Sequence, residues 1–227
     1  MSYTVSVRTL CEFTAKQGDL DLRFTPAPTA LQGMEGHQLV QSRRGADYEA
    51  EVALQGDYQT LRVRGRADGY DAAAGQLEEI KTYRGNLDAI RANHRALHWA
   101  QAKIYGHLLC SERALARLKV ALIYFNIGNQ KEHVIVEVLE AAELQAFFET
   151  HCARFLQWAQ SEDAHRRARD QALGALAFPW GSFRAGQRAL SVAVYRSARA
   201  PEGGSCLLAQ APTGIGKTIG TLFPMLK

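Results

Sequence analysis

A chain of 227 residues, 47% hydrophobic and 22% charged, holds enough apolar material for one complete domain and part of a second, which excludes general disorder. No apolar run is long enough to cross a bilayer, and the opening MSYTVSVRTL lacks the basic-then-apolar pattern of an export signal, so no membrane partner and a cytoplasmic location are expected. Cys11, Cys110, Cys152 and Cys206 form no C-x-x-C pair, which argues against a zinc ribbon or a secreted disulfide framework and leaves reduced, buried thiols.

Residues 3–14 read as a strand and 28–43 as a short helix carrying His37. Segments 48–54, 59–68 and 76–83 follow as strands, the last two made antiparallel neighbours by the turn DGYDAAAG. A helix fits 87–110, then the strands LKVALIYFNI and HVIVEVLE, then a long helix from about Ala141 to Leu173. Together these predict an α/β fold, a mixed sheet flanked by helices. The Gly- and Pro-bearing GALAFPWGS breaks the pattern and separates a first domain, 1–176, from a second segment, 177–227. The second segment reads as a helix, the apolar strand CLLAQ, a Gly-rich turn and the start of another helix.

The formal net charge of +4 is compatible with a nucleic-acid partner and is by itself weak evidence for one. Its arrangement says more. Arg62, Arg64 and Arg66 alternate with Leu61, Val63 and Gly65, so a strand places the three guanidinium groups and Asp68 on one face. That face is either DNA-directed or the wet side of an edge strand. HRRARD at 165–170 reads as the wet face of a helix.

Phosphodiester hydrolysis needs a hard divalent cation held by oxygen ligands, a poised water and positive charge near the phosphorus. Asp68 and the triplet Glu79-Ile80-Lys81 supply the residue types for this. On a strand Glu79 and Lys81 share a face while Ile80 points into the core, and hairpin pairing brings Asp68 beside them. Two carboxylates so close repel unless a cation lies between them, which suggests Mg²⁺ or Mn²⁺. On the helix 87–110, Ile90, Leu97, Ile104 and Leu108 form an apolar stripe, with His94, His98, Gln101 and Tyr105 along its edge. His94 and His98, four apart and without a third ligand nearby, read as rim or core histidines rather than a metal pair.

GRADGYDAAAGQLEEIKT resembles the core of PD-(D/E)XK nucleases, where an Asp on one strand and an (Asp/Glu)-x-Lys on the next form the metal site. GMEGH, ending at His37, is similar to the upstream helix of the RecB-like branch, and QAKIY, from Gln101 to Tyr105, to its downstream Q-x-x-x-Y helix. The resemblance spans about residues 30 to 110 and implies a restriction-endonuclease-like sheet. It also implies that His37, Asp68, Glu79 and the carbonyl of Ile80 hold the metal, that Lys81 orients the attacking water, and that Gln101 and Tyr105 line the site. Several members of that branch carry an iron–sulfur cluster. The cysteine neighbours it needs are missing around Cys11 and Cys152, so no cluster is expected.

CLLAQAPTGIGKTIGTLF has the strand–loop–helix order of a phosphate-binding loop. Backbone N–H groups from Thr213 through Gly216 and the helix N-terminus cradle phosphate, Lys217 reaches the β/γ-phosphates, and Thr218 ligates Mg²⁺. Gly214 and Gly216 permit the close approach, although Ala211 stands where the general pattern has Gly. A-x-T-G-x-G-K-T is similar to the motif of superfamily 2 helicases, and FPWGSFRAGQRAL to the adenine-reading segment of the XPD/DinG group, which implies ATP and an adenine contact from Gln187. The chain ends about ten residues into the loop's helix, before any second acidic motif, so a truncated gene model or fragment is expected, with the start of a RecA-like domain unable to hydrolyse ATP unaided.

The expectation is thus a metal-dependent DNA nuclease joined to a helicase-type ATPase. A non-cutting, nuclease-like DNA-binding module that recruits the helicase is one rival. A P-loop ATPase with a merely structural first domain is another.

Overall fold

In the computed structural model, which describes residues 2–18, 28–200 and 206–227, six strands form one mixed sheet. They are β1 (Tyr3–Ser6), β2 (Tyr48–Tyr58), β3 (Leu61–Asp71), β4 (Gln76–Tyr83), β5 (Arg117–Asn126) and β6 (Glu132–Glu140). The order is β1-β3-β4-β5-β6, with β2 also pairing β3. The helices are α1 (Val7–Thr14), α2 (Ala30–Ser42), α3 (Ala92–Arg113), α4 (Ala141–Ala175), α5 (Gln187–Ala198) and α6 (Lys217–Leu226). The chain is α/β, and it divides within α4 into two compact units, Met1–Ala159 and Gln160–Lys227. No helix among the described residues is long and apolar enough to cross a membrane.

Alternation along the strands gives the first unit two apolar layers. On one side Val63, Leu77, Leu122 and Tyr124 pack with Ile104 and Leu108 of α3, Leu10 of α1 and Phe148 of α4. On the other, Ile80, Ala121, Ile123 and Phe125 pack with Val40 of α2. β5, parallel to β4 and antiparallel to β6, is buried on both faces, which explains its unbroken apolar sequence.

Residues 3–14 are not one strand. The chain turns at Ser6, whose hydroxyl accepts the Thr9 N–H at 3.0 Å as an N-cap, and continues as α1 with Val7, Leu10 and Cys11 buried at helical spacing. β3 is not an edge either, since it pairs β2 on one side and β1 and β4 on the other. Arg62 is engaged by Asp57 of β2 at 2.8 Å. The helix expected at 87–110 starts at Ala92, after a one-turn 3-10 helix at Leu87–Ala89. CLLAQ forms no strand among the described residues, and Leu208 is 96% exposed. An isolated strand has nowhere to place its backbone donors and acceptors, so tertiary context overrides the apolar pattern. Cys206 is accordingly exposed, against expectation, while Cys11, Cys110 and Cys152 are buried free thiols.

α2 begins at a capping box in which Thr29 and Gln32 exchange side-chain-to-backbone bonds. It ends in an ion network. Arg44 bonds Glu78 of β4 at 2.9 Å and Glu132 of β6 at 2.8 Å, and Arg43 bonds Glu132 at 2.9 Å. Burial alone raises the Glu132 carboxyl, but the hydrogen bonds from Arg44 and Arg43 outweigh it and hold the group below its ordinary value. The stabilisation is therefore present above the usual carboxylate range and is lost as pH falls through the depressed value. Glu132→Gln is expected to cost about 1–2 kcal/mol near neutral pH. In urea melts, the gap between parent and variant closes in acid; a gap that stays constant down to acid pH contradicts this.

Candidate active site

The β3–β4 ladder is short, running only from Asp71↔Gln76 to Gly69↔Glu78. On the same side of β3, β1 pairs Leu61 to Arg64. Between these pairings the sheet forks, and Asp68 lies in the fork. Its Oδ2 accepts the Ile80 N–H at 2.6 Å, so a carboxylate takes over where the strands part. On the β2 side the register passes from Ala50↔Gly69 to Val52↔Ala67, skipping Glu51, which adopts φ 56. A non-glycine residue in the left-handed region is uncommon and marks a locally forced backbone. The Asp68 carbonyl instead accepts Gln41 Nε2 from α2 at 2.9 Å.

This in-plane position lets groups from both sheet faces reach Asp68. From the α2 side, His37 Nδ1 lies 3.2 Å from Asp68 Oδ1. Gly36 permits the approach, since a Cβ there would sit 2.6 Å from Thr82 Cγ2. From the α3 side come Glu79 and Lys81, while the Ile80 side chain packs under α2 as expected. Lys81 Nζ lies 2.5 Å from Glu79 Oε1 and donates to Gln101 Oε1 at 2.9 Å. Asp68, Glu79, Lys81, Gln101 and Tyr105 line one cavity of about 550 Å³. Tyr105 lies over Gly65, where a Cβ would be 2.7 Å from its hydroxyl.

Burial at the floor pushes the Glu79 carboxyl up to about 7; the Lys81 charge pulls against this and Asp68 adds to it. Burial disfavours charge on Lys81, yet Glu79 and Asp68 prevail and hold its value above the ordinary one. His37 is likewise opposed by burial but raised overall by its hydrogen bond to Asp68 and by that residue's charge. His98 is pushed down to about 3 by burial, with Lys81 and His94 adding to the effect. It is a neutral imidazole against Tyr124, as a rim or core histidine should be.

Among the described residues no group of three or more His, Cys, Asp or Glu side chains is arranged to hold a metal ion. Each candidate donor has an internal partner: Glu79 has Lys81, and Asp68 has His37 and the Ile80 amide. The donor chemistry itself, two carboxylates and an imidazole, fits a hard divalent cation, and the rise that Asp68 imposes on Glu79 is the repulsion such a cation relieves.

Sequence reasoning missed the contribution of α1, which sends Arg8 and Glu12 to the cavity wall, and of Lys16 just beyond its C-terminal end. The available signal was Ser6 followed by apolar residues at 7, 10 and 11. Gln41 and Glu51 carry no motif and were not legible.

In the second unit, Thr213 to Ile215 make a turn, with Gly214 at φ 84 and Gly216 at φ 81, conformations that favour glycine. Lys217 and Thr218 open α6, and Lys217 Nζ donates to the carbonyls of Ala211 (3.1 Å) and Pro212 (2.9 Å). Gln187, 2% exposed, accepts the Arg184 N–H and donates to the Gly216 carbonyl, both at 3.1 Å. Its amide thus braces the loop backbone.

No family model and no curated protein matches the chain. A solved structure described as the crystal structure of SSO0001 is similar at a TM-score of 0.43 and 22% identity, over 67% of this chain and 77% of that one.

Proposed function

We propose that the first unit is a metal-dependent deoxyribonuclease of the PD-(D/E)XK class, with a restriction-endonuclease-like sheet. The second unit is the ATP-binding start of a helicase-type, RecA-like domain. The observation that carries the first reading is the fork, where Asp68, Glu79, Lys81 and Gln101 converge on one cavity from two strands and a helix.

Asp68, Glu79 and His37, with the Ile80 carbonyl, would hold Mg²⁺ or Mn²⁺, which when bound supplies an activated water and charge neutralisation at the phosphate. Lys81 carries a positive charge whose ammonium is aimed by Gln101, so it offers hydrogen bonds to the water and to a phosphate oxygen as negative charge develops. Tyr105, seated on Gly65, walls the site beside them. Asp68→Asn is expected to remove a saturable Mn²⁺ site measured by calorimetry and to stop cutting; unchanged Mn²⁺ affinity contradicts the ligand assignment.

The internal pairing of the three side-chain donors, Asp68, Glu79 and His37, favours a second reading, a nuclease-like module that grips DNA without cutting. Magnesium- or manganese-dependent, EDTA-sensitive degradation of DNA by the chain decides between them. For the second unit, the ammonium of Lys217 over two loop carbonyls is poised to exchange them for phosphate oxygens. Lys217→Ala is expected to weaken ATP binding about 10²-fold or more, by loss of a charge-assisted contact; equal affinity in a fluorescent-nucleotide titration rules out a phosphate-binding loop.

A further inference from the structure

The geometry points to a second copy of this chain as the occupant of the free edge of β6, paired antiparallel about a two-fold axis at Val136, so that two six-stranded sheets join into one. No residue of β6 lines the cavity, so the contact stands apart from the nuclease reading.

Among the described residues β6 pairs β5 on one side and no strand on the other. Its ladder runs without a bulge from Arg117↔Glu140 to Phe125↔Glu132, and its sequence holds neither Pro nor Lys. Bulges, Pro and Lys are the devices that usually blunt a sheet edge. The carboxylates guard it little, since Arg43 and Arg44 engage Glu132, and Lys103 engages Glu137 at 2.9 Å. In the same register the Asn126 N–H donates to the Lys131 carbonyl at 3.0 Å and the Ala141 N–H to the Ala116 carbonyl at 2.8 Å, so odd-numbered residues of β6 bond inward to β5. The backbone groups of Glu132, Val134, Val136, Val138 and Glu140 therefore point outward along the edge. Their side chains share the α2 face, because Val136 lies opposite Ala121 and Val134 opposite Ile123, which pack beneath Val40. On that face Val134, Val136 and Val138 are 46%, 44% and 61% exposed.

A two-fold contact sets a patch against its own copy, so it needs a pattern that reads alike in both directions. Glu-x-Val-x-Val-x-Val-x-Glu, from Glu132 to Glu140, does so about Val136. Pairing centred there sets Val136 against Val136, Val134 against Val138 and Glu132 against Glu140, and the outward N–H and C=O groups of the two copies meet in hydrogen-bonded pairs. A centre at Ile135 would instead oppose Val138 to Glu132. The valines of both copies then form one apolar strip. Glu140 arrives beside Arg43 and Arg44 of the second copy, and the Arg43 side chain is still 35% exposed, so a cation faces the incoming carboxylate.

The test is sedimentation equilibrium of the full chain up to about 100 μM, the range suited to an interface of one strand edge. The parent is expected to reach twice the chain mass. Val136→Lys, which opposes two like charges at the axis, should weaken the dimer at least about tenfold. Position 136 is partly exposed, so thermal unfolding of that variant should match the parent at a dilution where both are monomeric. Register is read by mild oxidation in a Cys206→Ser background, which removes the exposed thiol. Val136→Cys should cross-link to itself, since its Cα atoms would stand about 5.5 Å apart, within disulfide reach. Val138→Cys is more exposed but roughly 13 Å or more from its copy, so it should cross-link only when mixed with Val134→Cys. A chain that stays monomeric, a dimer indifferent to Val136→Lys, or self-linkage of Val138→Cys as ready as that of Val136→Cys overturns the proposal.

Discussion

Lys81→Met is expected to slow DNA hydrolysis about 10²–10³-fold, the usual cost of removing one preorganised group aimed at developing charge. The ammonium lies between Glu79 Oε1 and Gln101 Oε1, on a side chain only 24% exposed within the cavity. Its charge is therefore worth more than it would be in water. Methionine keeps most of the side-chain volume and removes only the charge. Glu79 then loses the cation that pulls its value down, so it takes up a proton at neutral pH instead of standing as an unpaired buried anion. The variant should consequently fold, and the loss should appear in the single-turnover rate with Mn²⁺. A rate within about twofold of the parent, well under 1 kcal/mol, removes Lys81 from the chemistry.

The largest effect on stability is expected from Gly69→Ala. A Cβ at this position would sit 1.8 Å from the Tyr48 hydroxyl and 2.1 Å from its Cζ, an overlap the ring cannot absorb by a small shift. Tyr48 donates to Glu78 Oε2 at 3.2 Å and belongs to the Arg44 network, so displacing it disturbs a part-buried polar group as well as the packing. Overpacking and the broken contact together should cost about 3 kcal/mol, read as a drop in the denaturation midpoint at unchanged m-value. Gly69↔Glu78 is also the last rung of the β3–β4 ladder before the fork. Movement there shifts Asp68, so activity should fall by more than the unfolded fraction explains. Gly75→Ala is the internal comparison, with φ 61 but no atom within 4 Å of the added methyl; it strains the backbone and leaves the fork alone.

Much of this architecture was legible because it is periodic. Alternation in β4 placed Glu79 and Lys81 on one face and Ile80 on the other, and the structure keeps that division. The helical spacing of Gln101 and Tyr105 placed both on the cavity wall. Local signals failed where tertiary partners decide. The opening twelve residues of apparent strand split at Ser6 because β3 offers β1 only four rungs, after which the chain caps a helix. CLLAQ has an apolar strand composition and no described neighbour to pair with.

Sequence by itself determined which residue types meet, since side-chain alternation, helical stagger and a Gly-rich turn follow from geometry every chain shares. Only the tertiary structure decided that Asp68 lies in the plane of a split sheet, reachable from both faces, with its backbone carbonyl passed to Gln41 and its carboxylate to the Ile80 amide. It also decided that α1, apparent strand in the sequence, brings Arg8 and Glu12 to the cavity wall. Those outcomes depend on where two ladders stop, and a ladder stops according to the packing of elements distant in the chain, which no local pattern records.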